Sequence, residues 1–244
     1  MKRMGLGMTL LVGICLAMLA AAVGTACGGG GDGESEPTPD RPALEAMLSD
    51  IALKVEDLPE DLRGSFTLTE EGFSDNEKVA ANDPEGPTVA MERLTGWHRL
   101  LGHDSAYTAK DLYGTFLNGG TAMIRASVNI FGDERGAMDA LQWGRDLLSD
   151  PEDAATFIPG VAELQGEPIS VPTIGDDTVA YEFTGIFKAE NFDVDVPFTA
   201  HIVAIRHGHG VANVVVVAIG GAKPGPEVEA ILRELDERMG EALD

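Results

Sequence analysis

Residues 211–219, VANVVVVAI, are the stretch that decides the fold of this chain. They are apolar at nearly every position, and their consecutive valines favour an extended backbone. A strand of this composition is typical of the centre of a sheet that is covered on both faces. We therefore expect Val214 and Val216 to be buried on one face, and Val215 and Val217 to be covered on the other.

Further strands are predicted on the N-terminal side of this stretch, at 65–70, 107–117, 121–131, 179–187 and 196–206. In residues 121–131, apolar side chains alternate with Arg125, Ser127 and Asn129, which is typical of a half-buried strand. Asn118-Gly119-Gly120 precedes that strand and predicts a hairpin turn. Residues 73–88 predict a long surface loop, and residues 151–172 an irregular connector.

Apolar residues at helical spacing predict helices at 40–55, 89–101, 134–148 and from residue 226 onward. Asp40 and Asp133 are suitable N-caps, and Pro226 suits the first turn of the last helix. That helix has the most regular apolar stripe, formed by Val228, Ile231, Leu232, Leu235 and Met239. Its opposite face, expected to tolerate alanine, carries Glu229, Arg233, Asp236 and Glu237. These elements predict an α+β fold, an antiparallel sheet of about six strands with helices packed on it.

A short sequence similarity between two tetrapeptides suggests an internal repeat. The tetrapeptide that begins at Tyr107, YTAK, resembles the one that begins at Phe198, FTAH. Each is followed by a predicted strand, a turn, a second strand and a helix, so the chain could contain two strand–strand–helix units. The other interpretation is that a hairpin followed by a helix is simply a common local arrangement.

The N-terminus has the order of an export signal. Lys2 and Arg3 precede an uncharged, largely apolar run, and small residues then lead to Cys27. This order resembles a bacterial lipoprotein precursor, whose signal is cut before a cysteine that receives diacylglycerol. The matching box is Gly24-Thr25-Ala26-Cys27, in which Gly24 departs from the usual leucine or valine. Cleavage by an ordinary signal peptidase and an uncleaved membrane helix remain alternatives.

On this interpretation the chain has three parts. Residues 1–26 are a signal peptide, residues 27–42 are the lipidated Cys27 and a disordered tether, and residues 43–244 are a single α+β domain. The tether is made of glycine, acidic residues, serine, threonine and proline, and gives the domain a reach of roughly 20 Å from the lipid. The expected location is the extracytoplasmic face of the cell membrane, with the membrane as partner through the lipid anchor.

Composition limits the chemistry of the domain. Of the two cysteines, Cys15 lies in the signal and Cys27 is the lipidation residue, so the domain has no disulfide and no thiol ligands. Without Lys2 and Arg3 there are 15 basic and 41 acidic residues, a formal charge of −26. Such a charge excludes nucleic acid as a partner and favours a solvated acidic surface. A protein or small-molecule partner stays open.

Three short motifs resemble landmarks of actinobacterial lipoproteins whose domains are similar to the sensor domain of some mycobacterial membrane kinases. They are Asp57-Leu58-Pro59, Ile174-Gly175-Asp176 and Arg206-His207-Gly208-His209. The cysteines that brace the kinase sensors are missing from this chain. The resemblance implies a sensor or ligand-holding lipoprotein rather than an enzyme, and it assigns no site residue.

The remaining polar groups predict no catalytic residue, no metal site and no cofactor. His207 and His209 could serve a metal, but no further ligands are near them in the sequence, so a solvated turn is favoured. Glu190, Asp193 and Asp195 lack the spacing of a calcium loop. His98 and His103 flank a helix end, and His201 lies on a strand. The chain has no nucleophile elbow, zinc-protease helix motif or P-loop.

We therefore expect a lipid-anchored extracytoplasmic binding or sensory module of unknown ligand. The alternative is an extracytoplasmic hydrolase-like enzyme that uses His201, His207 or His209. The two differ in one observable feature: an enzyme of this kind needs these histidines to converge with a carboxylate in one pocket.

Replacing Cys27 tests the anchoring hypothesis. Cys27→Ala is expected to release the protein from the membrane fraction or to block its processing, because the lipid can no longer be attached. Fractionation and metabolic lipid labelling measure both effects. A variant that stays in the membrane, together with an unlabelled wild type, would contradict the lipoprotein interpretation.

Overall fold

The computed structural model describes residues 40–158, 161–188, 195–225 and 227–243. The predicted signal, Cys27 and the tether up to residue 39 lie outside these ranges, as do Glu190, Asp193 and Pro226. The strands are β1 (Phe66–Ser74), β2 (Arg99–Ala109), β3 (Gly120–Phe131), β4 (Val161–Pro168), β5 (Asp177–Lys188), β6 (Asp195–His207) and β7 (Gly210–Ile219). They form one antiparallel sheet in the order β1-β2-β3-β7-β6-β5-β4.

Eight α-helices accompany the sheet within the described ranges. They are α1 (Arg41–Ile51), α2 (Glu60–Arg63), α3 (Asn76–Ala81), α4 (Pro87–Gly96), α5 (Leu112–Asn118), α6 (Glu134–Ser149), α7 (Pro151–Thr156) and α8 (Glu227–Leu243), with a 3₁₀ turn at Val55–Asp57. The predicted α+β fold with an antiparallel sheet is thus confirmed. The sheet has seven strands instead of about six.

The central position predicted for residues 211–219 is confirmed, because β7 lies between β3 and β6. Its two faces are covered unequally. Val214 and Val216 are fully buried on one face, here called the core face. Val217 is buried on the opposite face, but Val215 is only half-buried there. That opposite face forms the floor of a cleft and is called the cleft face.

Helices α1 and α8 cover the core face. Leu48 and Ile51 of α1 and Ile231 and Leu235 of α8 have no exposed surface and pack with the valines of β7 in one apolar cluster. The hydroxyl of Tyr107 in β2 donates to the carbonyl of Leu53 at 2.8 Å, which fixes the chain just after α1. Burying each such aliphatic side chain contributes about 1.5–3 kcal/mol, so this layer is the main source of stability.

The predicted hairpin is wrong in detail. The first strand of the hairpin was predicted at 107–117, but the structure has β2 at Arg99–Ala109 and the helix α5 at Leu112–Asn118. The side chain of Asp111 accepts from the backbone N–H of Gly114 at 2.9 Å and so caps α5, while Gly119, at φ +70°, ends it. An Asn-Gly pair suits a helix C-terminus as well as a hairpin turn, because both need a residue with positive φ.

Two other segments differ from their predictions. The loop expected at 73–88 contains the end of β1, all of α3 and the start of α4. The connector expected at 151–172 contains α7 and the edge strand β4. The register of β4 shifts next to Glu163, which has a φ of +57°, so this bulged strand lacks the alternation by which strands are recognised.

Of the two predicted strand–strand–helix units, the second is present as β6–β7–α8, whereas the first has α5 between its strands and runs β2–α5–β3–α6. Their helices lie on opposite faces of the sheet, since Leu141 of α6 packs with Val211 on the cleft face. Moreover, Tyr107 lies near the end of β2, whereas Phe198 lies near the start of β6. The two similar tetrapeptides therefore do not occupy equivalent positions in the two units.

The three family-like motifs converge on the C-terminal half of α8. Arg238 binds both carboxylate oxygens of Asp57, with the longer contact at 2.9 Å. Asp236 binds the Nδ1 atom of His207 at 3.0 Å and the backbone N–H of Gly175 at 3.2 Å. Asp236 is therefore half-buried and hydrogen-bonded rather than part of an exposed face, so its replacement by alanine is now expected to lower stability.

The buried stripe of α8 gives a stability prediction. Leu235→Ala is expected to lower the free energy of unfolding by about 2–5 kcal/mol, because it leaves a cavity in the core layer. Thermal or denaturant unfolding of a protein that comprises residues 40–244 measures the loss. Glu237→Ala, on the exposed side of the same helix, is the matched control and should change little. An unchanged midpoint for Leu235→Ala would contradict the core packing described here.

Candidate functional site

The cleft face of the sheet borders a cavity of about 700 Å³. Its walls come from α4 on one side and from α6 and α7 on the other. Much of its floor is apolar and lies on β6 and β7, with the side chains of Phe198, Ala200, Ile202, Val215, Val217 and Ile219. A concave site of this size, mostly apolar, is the usual form of a small-molecule site.

An aromatic cluster joins the two walls. The ring of Trp97, at the end of α4, lies 5.6 Å from the ring of Trp143 in α6, and Phe157 lies 5.7 Å from Trp143 on its edge. The guanidinium of Arg93 stacks on Trp143, with its carbon 4.3 Å from the ring centroid. Both tryptophans of the chain thus line the cavity.

The walls touch directly at one end of the cleft. A Cβ atom at Gly136, in the first turn of α6, would overlap the carbonyl oxygen of Trp97. The backbone N–H of Gly132 also donates to the carbonyl of His98 at 2.8 Å. Only glycine permits this approach, so the cleft is closed at the end where α4 meets α6.

Polar side chains occupy the part of the floor formed by β2, β3 and one position of β7. Arg125 pairs with Asp104 at 3.0 Å, and Asn213 donates to Ser127 at 3.3 Å. The alternation of Arg125, Ser127 and Asn129 with buried residues predicts a half-buried strand. It does not show that the less buried face of this strand is the floor of a cavity. Sequence analysis therefore missed these three side chains as site residues.

Arg99 is the most deeply buried charged residue of this floor, with 6% of its surface exposed. Its guanidinium donates to the side-chain oxygens of Asn129 and Asn76, each at 2.9 Å, and to the backbone and hydroxyl oxygens of Ser74. All these acceptors are neutral. Burial lowers the pKa of Arg99 to about 10, so it still carries its charge at neutral pH.

A second, smaller cavity of about 320 Å³ lies on the core face beside the start of α8. His201 and Glu182 line it, and the Nε2 atom of His201 lies 3.0 Å from the Glu182 carboxylate. Lys223 binds the other oxygen of Glu182 at 2.6 Å. The carboxylate is therefore held between two partners.

The candidate histidines do not converge. His207 lies six residues along β6 from His201, roughly 20 Å away, and binds Asp236. His209 lies in the turn before β7, His98 pairs with Asp133 at 3.2 Å, and His103 is buried against Phe73. None of the five histidines lines the 700 Å³ cleft.

Within the described ranges, no three histidine, cysteine, aspartate or glutamate side chains are grouped as metal ligands would be. The candidate calcium residues Glu190 and Asp193 lie outside those ranges. Across the same described part of the chain, no helix combines the length and apolarity needed to cross a bilayer.

No protein-family model and no curated protein matches this sequence. Among solved structures, the chain is similar to the extracellular domain of PknH from Mycobacterium tuberculosis, with a TM-score of 0.48 and 11% sequence identity. The similarity covers 81% of this chain and 96% of that chain. At this level of similarity, no residue role or activity is carried from that domain to this chain.

The Glu182 network predicts a pH-dependent effect on stability. The hydrogen bonds from Lys223 and then His201 hold the pKa of Glu182 below its ordinary value. Their stabilisation is present above the unfolded pKa of about 4.3 and is lost as the pH falls through the lower folded value. Lys223→Met should therefore lower the Tm at about pH 6, and the difference from wild type should shrink on acidification.

A series of thermal melts across acidic pH measures this effect. Lys110→Met is the matched control, because Lys110 binds the backbone carbonyl of Gly64 and, among the residues that the structure describes, forms no ion pair with a carboxylate. Its Tm difference from wild type should not vary with pH. A Lys223→Met difference that is equally constant would show that the ion pair with Glu182 does not contribute to stability.

Proposed function

We propose that this chain is a lipid-anchored extracytoplasmic binding module whose cleft holds a small apolar or amphiphilic molecule. The observation that carries the proposal is the 700 Å³ cavity between the cleft face of the sheet and the walls formed by α4, α6 and α7. Its volume falls within the range of about 300–1,000 Å³ that small-molecule sites occupy.

The lining supports binding rather than catalysis. The apolar floor on β6 and β7 gains free energy when a ligand removes it from water, at about 25 cal/mol per Å². Arg125 and Arg93 are paired with acidic neighbours, and no histidine lines the cavity. The cleft therefore lacks the usual proton-transfer residue of a hydrolase, and its polar groups suit orientation of a ligand.

The sequence supports the location. The export signal and Cys27 favour attachment to the outer face of the membrane, and the tether keeps the domain within roughly 20 Å of the lipid. A module held there samples molecules that leave or enter the bilayer. The acidic surface keeps the domain itself soluble beside the membrane.

Tryptophan fluorescence tests the binding activity, because both tryptophans of the chain lie in the cleft. Decanol is expected to change the emission of the purified domain in a saturable manner. Val215→Phe should weaken decanol binding at least about fivefold, because Val215 is half-buried and faces the cavity, so that a phenyl ring would occupy part of the space for the ligand.

Val89→Phe is the matched control, since Val89 is 48% exposed on α4 and does not line the cavity. It should leave decanol binding unchanged, and both variants should melt as cooperatively as the wild type. The proposal is wrong if neither decanol nor its charged ten-carbon analogues bind the wild-type domain.

A further inference from the structure

Arg99 is a buried charge that lines the cleft without a carboxylate partner. Within the described residues, no aspartate or glutamate oxygen lies in ion-pair distance of its guanidinium. Asp104 and Asp75 act on Arg99 through space and oppose the lowering of its pKa, but neither forms an ion pair with it, so its charge is only partly compensated. A buried charge is normally paired, because burial without a partner is costly. An unpaired buried charge on the wall of a cavity indicates that the ligand supplies the counter-charge.

We propose that the ligand of the cleft carries an anionic headgroup, which binds at Arg99, and an apolar tail, which lies along the floor formed by β6 and β7. This inference rests on the proposed function and specifies its ligand as an anionic amphiphile. The simplest molecule of this class is a fatty carboxylate.

The hydrogen bonds around Arg99 leave donors for such a headgroup. The four bonds to Asn129, Asn76 and Ser74 use four of the five N–H groups of the guanidinium. The Oδ1 atom of Asn129 accepts from Arg99, and this bond orients the amide and leaves its NH₂ group to donate. Asn129 also lines the cleft. A carboxylate accepts bonds from both kinds of donor.

The site is held in place before a ligand arrives. A Cβ atom at Gly102 would overlap both the guanidinium of Arg99 and the side-chain oxygen of Asn129. The glycine thus provides the space in which the guanidinium lies flat on β2. Since its position is already fixed by four bonds, little side-chain entropy is lost on binding.

The other charges of the cleft do not favour a cationic or a neutral headgroup. Arg125 is paired with Asp104, and Arg93 is paired with Asp83. Glu70 stands on β1 at the edge of the cavity and is only half-buried, so water screens it. Among the described residues that line the cleft, Arg99 is thus the deeply buried charge that is left without an ion pair, although the whole chain has a formal charge of −24.

Three probes with the same ten-carbon tail test the headgroup. Decanoate, decanol and decyltrimethylammonium are titrated into the purified domain near neutral pH, and tryptophan fluorescence and calorimetry give each Kd. Decanoate should bind about tenfold more tightly than decanol, a difference of about 1.4 kcal/mol. The cationic probe should bind more weakly than decanol.

Variants of the site show whether Arg99 causes this preference. Arg99→Met should reduce the ratio of the decanol Kd to the decanoate Kd to about one, while Arg99→Lys, which keeps the charge, should retain part of it. Gly102→Ala keeps Arg99 but pushes its guanidinium aside, so it should also reduce the ratio. If Arg99→Met does not fold, the Kd ratio of Gly102→Ala serves as the test instead. Arg135→Met, on the exposed side of α6, is the control and should leave the ratio unchanged.

Each outcome is decisive. A wild-type ratio near one, with clear binding of decanol, overturns the anionic headgroup and leaves the proposed function intact. A high ratio that persists in Arg99→Met shows that another group binds the anion, and one that persists in Gly102→Ala shows that the fixed position of the guanidinium does not cause the preference; either result overturns this inference. The failure of all three probes to bind the wild type overturns the proposed function itself.

Discussion

The packing of α8 against one face of β7 is the contact on which the rest of the structure depends. Val214 and Val216 meet Ile231 and Leu235 there without any exposed surface. Because this layer supplies the main core, the opposite face of the same strand does not need to be filled. The sheet can therefore carry a cavity on its cleft face without losing the burial that keeps the domain folded.

Sequence patterns correctly predicted the elements in which apolar residues repeat at one regular spacing. The stripe of α8 and the valines of β7 are clear because every side chain on one face meets the same apolar environment. The strand β2 was misplaced, since His103, Asp104 and Ser105 are polar yet buried, and no pattern distinguishes a buried polar strand from a loop. The edge strand β4 was missed because its bulge at Glu163 interrupts the alternation.

The residues of the candidate site could not be predicted from the sequence for a different reason. Arg99 lies on β2, Arg125 on β3 and Asn213 on β7, and only the pairing of these strands brings them to one floor. The motifs that did stand out contain Asp57, Gly175 and His207, which bind Arg238 and Asp236 of α8. The short recognisable motifs thus belong to contacts that stabilise the fold, while the cleft is assembled from residues that are distant in the chain.

The contact between Gly136 and the Trp97 carbonyl has a consequence for how the cleft can open. Backbone meets backbone there, so the two walls cannot separate at this end without breaking the contact between α6 and α4. Farther along, Arg93 and Trp143 join the walls through their side chains, and side chains can change rotamer without loss of strand pairing. Any widening of the cleft that leaves these backbone contacts intact therefore has to occur at the end away from Gly136. Arg99 directly follows Trp97 and His98 in the chain, so the headgroup site that we propose lies toward the closed end of the cleft.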